Sequence, residues 1–318
     1  MRRTGVPSAA DLLHLRPDDG RGAATVTFVA LITLAGGWLS MSGGWIAWAA
    51  GQLVLALALV QWFVLLHECG HETLFRTSRW HAIVGSLAGF MTMIPFRSWT
   101  RVHAKHHKWT GWQDLDPTTE ALVPRELSRA ERLLVNVCWR LWIPLFSILY
   151  RVKNFWNVPR LLALFPSPNE KRAILRHTSI LIGAYGCTIA FAGPVVFIRL
   201  VVVALVLSFA IEDVLLLSQH THIPQNISDG RPVRPFPAME QEVFTRSLRL
   251  PGWLSLLLLH FDAHELHHMY PFVPGYHLRS IAYRPANEIG WWQWVRGAKH
   301  LRGDVLLFRN RSHSGFDL

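Results

Sequence analysis

Cysteine is scarce in this chain. Cys69, Cys138 and Cys187 are the only three among 318 residues, far apart and without a CxxC pair. That excludes a disulfide framework and a cysteine metal site, and it leaves small buried hydrophobes as their expected role. Acidic residues are also few, 21 Asp+Glu against 32 Lys+Arg. A basic balance suits nucleic acid, yet no basic helix or nucleic-acid module accompanies it, so no nucleic-acid partner is expected. The first 20 residues hold no apolar stretch of the kind a signal peptide needs. Internal repeats, low-complexity tracts, a Rossmann glycine fingerprint and a haem-attachment motif are all missing.

Apolar residues, in contrast, make up 51% of the chain, with 15 Trp and 17 Phe. They gather in long runs separated by stretches rich in Arg and His. Ala24–Leu39 and Trp45–Leu66 read as one helical hairpin, and Ile174–Ala192 and Val195–Leu217, turning at Gly193-Pro194, as a second. At 1.5 Å per residue, about 20 residues cross a hydrocarbon core of roughly 30 Å. Three further apolar segments, Ala82–Pro95, Leu133–Tyr150 and Trp253–Phe261, are short or interrupted and are expected to be re-entrant or interfacial. The tail from Arg302 onward is expected to be loosely ordered.

The basic residues orient this pattern. Neither hairpin tip carries Lys or Arg, and only Arg199 lies near the tip side of the membrane. The positive-inside rule places both termini and both long polar segments in the cytoplasm. The expected plan is one domain over 1–318: a cytosolic N-terminus (1–23), a hairpin (24–66), a cytosolic segment (67–173), a second hairpin (174–217) and a cytosolic C-terminal segment (218–318).

Seventeen histidines are present, and eight fall in three clusters. These are His67 and His71 in HECGH, His103, His106 and His107 in HAKHH, and His264, His267 and His268 in HELHH. On a helix, positions i, i+3 and i+4 share a face, so each cluster can present two or three imidazoles to one point. Neutral imidazole suits iron, zinc and copper. Eight such ligands exceed one tetrahedral ion and suit two metals of higher coordination number. All eight lie on the side assigned to the cytoplasm from Lys and Arg alone.

Two other classes of function are open to this pattern. HECGH satisfies HExxH literally, with Glu68 as the general base of an intramembrane zinc protease. That reading leaves six histidines unexplained. A metal transporter would place its ligands along a path inside the spans rather than at their cytoplasmic ends.

The segments HECGHETLF (67–75), PFRSWTRVHAKHHKWTGWQDLDP (95–117), SQHTHIP (218–224) and HELHHMYPFVPGYHL (264–278) resemble the membrane fatty acid desaturase/hydroxylase superfamily. The resemblance implies an all-α integral membrane fold, four transmembrane helices in two hairpins with a cytosolic helical cap carrying the histidine boxes. It implies that the eight box histidines ligate two non-haem irons that use O₂ against a hydrocarbon chain. The family's ninth ligand matches His220, with His222 as the alternative. Asp213, seven residues before His220 on the same helical face, is placed to support it. Asp114 and Asp116 match a family feature and are expected to orient ligand imidazoles. Asp262 stands where relatives often have Asn. His260, four residues before the third box, is a further alternative ligand. His14, His81, His177, His300 and His313 are expected at the surface or interface.

The resemblance favours desaturation of a fatty acyl or lipid chain. Hydroxylation or ketolation of alkyl, lipid or carotenoid substrates is the alternative. With no fused electron-transfer domain, electrons are expected from a separate donor, a ferredoxin or similar carrier with its reductase. Acidic carriers would be steered by a basic cytoplasmic face.

Overall fold

The computed structural model describes residues 6–311 and 318. Its regular secondary structure is almost wholly helical. The helices are α1 (Asp19–Met41), α2 (Trp45–Gly70), α3 (Ser78–Thr92), α4 (Phe96–Trp109), α5 (Arg129–Leu141), α6 (Leu145–Arg151), α7 (Val158–Leu164), α8 (Pro168–Ala192) and α9 (Pro194–His220), followed by α10 (Gly252–Leu257), α11 (His264–Met269), α12 (Gly275–Leu278), α13 (Trp291–His300) and α14 (Gly303–Phe308). Two strands, β1 (Leu248–Arg249) and β2 (Ile289–Gly290), pair in parallel with Leu248 opposite Ile289.

Among the described residues, α1, α2, α8 and α9 are long and apolar enough to cross a membrane, at 23, 26, 25 and 27 residues. The protein is therefore an all-α membrane protein. These helices outrun the apolar stretches that predict them, chiefly at the ends away from the hairpin tips, because polar turns there continue the same backbone hydrogen bonding. The third apolar stretch forms α3, of 15 residues. The Leu133–Tyr150 stretch is broken between α5 and α6, where Trp142 takes a left-handed φ of 58° two residues before Pro144.

The chain's contacts gather into two compact units. The span unit comprises 17–101 and 146–212, and the polar unit comprises 1–16, 102–145 and 213–318. In the span unit α2 is mostly buried, while α1, α8 and α9 leave residues such as Leu34, Trp38, Ile180, Phe191 and Ile198 exposed. Those apolar faces suit lipid. Small residues let backbones approach: a Cβ on Gly51 would sit 2.5 Å from the Ser40 nitrogen. Polar side chains bind spans together. Trp62 donates to Thr33 Oγ1 at 2.9 Å, and Gln52 donates to Ser40 Oγ at 3.0 Å and accepts from the Ala204 N–H at 2.9 Å. Arg151 and Glu212 form a buried ion pair at 2.5 Å, with the guanidinium 3.9 Å from the Phe209 ring centre.

In the polar unit, α5 begins with a capping box in which Ser128 and Glu131 satisfy each other's backbone N–H. Leu12, Ala263, Leu266, Met269, Tyr270 and Leu278 form a buried cluster beside α11. Three expectations need correction. Residues 303–308 are helical, with Leu306 and Phe308 buried, because Gly303 permits close packing against Trp139 and Asp304 N–H reaches Asn136 Oδ1 at 3.0 Å. Cys187 is exposed on α8, although Cys69 and Cys138 are buried. His81 is buried and accepts the Phe75 N–H at 3.0 Å. His313 lies outside the described residues.

Candidate metal centre

α9 ends at His220, α4 carries His106 and α11 carries His264 and His268. In the polar unit, ring nitrogens of these four residues all lie within 4.8 Å of one another. His264 Nε2 is 2.7 Å from His220 Nε2, and His106 Nε2 is 3.3 Å from His268 Nε2. The rings meet steeply, 89° for His106 with His220 and 82° for His220 with His264. Edge-on nitrogens rather than stacked faces therefore point inward.

The far sides of two rings are anchored. His106 Nδ1 is 2.7 Å from Asp116 Oδ2, and Thr118 donates to the other Asp116 oxygen at 2.8 Å. A carboxylate only accepts, so the His106 proton sits on Nδ1 and Nε2 offers a lone pair. His268 Nδ1 faces Gln241 Oε1 at 2.9 Å. Burial, together with the neighbouring His107, His264, His106 and His220, holds the His268 pKa well below its ordinary value and keeps the ring neutral. Neutral imidazoles with inward lone pairs repel one another unless a cation lies between them. The donor set fits a metal, and nitrogen ligands of this kind suit iron.

A second group lies alongside. His107 Nε2 is 3.1 Å from His103 Nε2 and 3.0 Å from His267 Nε2. In the span unit, the His67 and His71 rings are 4.8 Å apart, His67 on the last turn of α2 and His71 capping its C-terminus. Glu68 faces His67 Nδ1 at 3.2 Å and accepts from Thr73 Oγ1 at 2.8 Å. Trp99 meets the His67 ring edge-on at 5.7 Å. Gly70 is required there, because a Cβ would come within 2.0 Å of the Trp99 ring.

The remaining candidates are placed elsewhere. Asp114 accepts the Ser228 N–H at 3.0 Å and its hydroxyl at 2.5 Å, so its carboxylate serves a loop. Asp262 pairs with Arg279 at 2.6 Å and accepts from Ser255 at 2.7 Å. Asp213 is buried on α9. His222 has a left-handed backbone and its Nδ1 is 3.1 Å from the Arg309 carbonyl oxygen. His260 Nδ1 is 2.8 Å from Ser255 Oγ. Neither His222 nor His260 belongs to the quartet. Glu265 accepts the Ser247 N–H at 2.9 Å and the Asn287 N–H at 2.7 Å, which seats α11. Burial, partly offset by these bonds, pushes its pKa up to about 7. Gln241 and Glu265 are supporting residues that sequence reasoning missed. Glu265 lay inside a recognised box, whereas nothing around Gln241 marks it.

The fatty acid desaturase family model matches residues 43–294. The chain belongs to the fatty acid desaturase family. An sn-1 oleoyl-lipid 12-desaturase of Picosynechococcus is 27% identical over 237 residues, which cover 70% of this chain and 64% of that protein. A chloroplastic omega-3 fatty acid desaturase of Glycine max is 24% identical, covering 68% of this chain and 49% of the relative. A fatty acid desaturase of Bacillus subtilis is 27% identical, covering 68% and 62%. The chain thus spans about half to two thirds of the length of these curated relatives.

Proposed function

We propose that the protein is a membrane di-iron oxidoreductase that uses O₂ to introduce a double bond into a fatty acyl chain, the whole chain acting as one desaturase-type domain. The observation that carries this reading is the convergence of ring nitrogens from His106, His220, His264 and His268, three of these residues buried and His220 partly so. One iron is assigned to it. The other is assigned to His67, His71, His103, His107 and His267, on the strength of the box pattern and family membership. His222 and His260 are left out of both sets, since neither ring joins a group of converging ring nitrogens among the described residues.

When bound, such an iron pair supplies the oxidising power for an unactivated C–H bond, which side chains lack. The chain's own residues prepare the site. Asp116 keeps the His106 proton on Nδ1. Glu68, fixed by Thr73, faces His67 in the same way. Glu265 seats α11 so that three histidines of one helix face inward. The acyl substrate comes from the membrane, consistent with four spans and with relatives named as lipid desaturases.

The site and both termini are assigned to the cytoplasm from the distribution of Lys and Arg. Electrons are assigned to a separate ferredoxin-like or flavoprotein-linked donor. Hydroxylation at the same centre is the second reading, and mass distinguishes the two. The test is heterologous expression with mass spectrometry of total lipids and iron analysis of the purified protein. Acyl chains lighter by two hydrogens and two irons per chain are expected. A gain of one oxygen would replace desaturation by hydroxylation, and a single zinc would overturn the di-iron reading.

A further inference from the structure

We propose that Gln241 is a positioning residue that sets the tautomer of His268 and ties the second histidine box to the third. This rests on the assignment of the quartet as an iron site.

Gln241 lies on a short 3₁₀ segment, Ala238–Phe244, and is 3% exposed. Its Nε2 donates to the His107 carbonyl oxygen at 2.8 Å and to the Phe236 carbonyl oxygen at 3.2 Å. Both partners are pure acceptors, so the amide can face them only with its NH₂ group. That leaves Oε1, itself a pure acceptor, facing His268 Nδ1 at 2.9 Å. The proton of a neutral His268 must then lie on Nδ1, and the lone pair of Nε2 points to His106 Nε2, 3.3 Å away. One amide thereby reads the backbone of α4 and dictates the chemistry of a ring on α11.

A hydrophobic residue of similar size would leave His268 free to place its proton on either nitrogen. Protonation on Nε2 removes the ligand. The acceptors also differ within the quartet: His106 leans on the Asp116 carboxylate, whereas His268 leans on a neutral amide. A charged acceptor raises imidazole basicity more than a neutral one does. The two rings therefore donate unequally to a shared ion, and Gln241 sets the weaker member.

The test compares wild type, Gln241→Leu and Gln241→Glu in purified, monodisperse protein. The readouts are Fe(II) affinity and stoichiometry, and the Mössbauer spectrum of ⁵⁷Fe-loaded protein. Gln241→Leu is expected to weaken one of two iron sites by about 10- to 100-fold, the range for lost supporting hydrogen bonds. Gln241→Glu keeps an acceptor opposite His268 Nδ1 but loses the donations to the His107 and Phe236 carbonyls, so it should retain more iron than Gln241→Leu while changing the quadrupole splitting of one iron. Wild-type affinity at both sites in Gln241→Leu would overturn the inference. Should Gln241→Leu not fold, the Gln241→Glu spectrum decides: a changed signal from one iron supports it and an unchanged spectrum overturns it. Wild type without iron would instead sink the di-iron assignment itself, a separate result.

Discussion

His106 and His268 stand with their ε-nitrogens 3.3 Å apart, each with its δ-nitrogen against an acceptor of different charge. With a proton on each Nδ1, no hydrogen bond can form between the two Nε2 atoms. The approach suits a shared cation, and the immediate surroundings of the two rings should govern how well such a cation is held.

Asp116 is the first lever. Asp116→Leu removes the acceptor for His106 Nδ1 and should lower iron affinity by about 10- to 100-fold. Asp116→Asn, which keeps an acceptor oxygen, should fall between that variant and wild type. Titration of the purified proteins with Fe(II) measures both, and equal affinities in all three would remove Asp116 from the account.

Glu68 separates two classes of enzyme. Its oxygens are engaged by His67 and Thr73, as an orienting group's would be. Glu68→Gln should leave most of the metal in place and lower acyl-chain oxidation only partially. A zinc protease using Glu68 as general base would lose all activity in that variant while keeping its metal.

Gly70 tests packing beneath the first box. In Gly70→Ala the new Cβ would overlap the Trp99 ring, and overpacking of this kind costs about 1–3 kcal/mol. The melting temperature in detergent should drop, and Trp99→Leu in the same chain should recover part of the loss. A Gly70→Ala protein that melts with wild type would contradict the close approach.

Arg151 and Glu212 are 4% and 1% exposed within the span unit. Removing one partner leaves a buried charge uncompensated, so Arg151→Met should destabilise by about 3–5 kcal/mol. Arg151→Met with Glu212→Leu should destabilise far less than either single change. A double-mutant cycle by thermal unfolding reads the coupling directly.

Acid should weaken the start of α5. Hydrogen bonding from Arg125, then from Ser128, lowers the Glu131 carboxyl from 4.5 to about 2. Its folded pKa is below its unfolded one, so its contribution is present above about pH 4.5 and is lost as pH falls toward 2. The melting temperature of Glu131→Gln should therefore trail wild type at neutral pH and converge with it in acid. A gap that is constant with pH would show that the carboxylate charge is irrelevant there.

Much of this protein was legible from local pattern. The four spans follow from hydropathy over about 20 residues, and the histidine boxes from i, i+3 and i+4 spacing, because both depend only on neighbours along one helix. Helix ends extended past the apolar runs since backbone hydrogen bonding does not stop where hydropathy does. Asp114 and Asp116 were indistinguishable as candidates to orient a ligand imidazole, and Asp262 stood where relatives often have Asn. Asp116 faces His106, while Asp114 turns to Ser228 and Asp262 to Arg279.

The amino-acid sequence by itself thus determined an all-α membrane chain with histidines clustered as metal ligands could be, because helical periodicity and apolar length are properties of short stretches. Tertiary structure alone decided which side chains back those histidines. Gln241 meets His107 and His268 from segments 134 and 27 residues away, and a hydrogen bond of a few ångströms depends on where the chain returns, which no local pattern encodes.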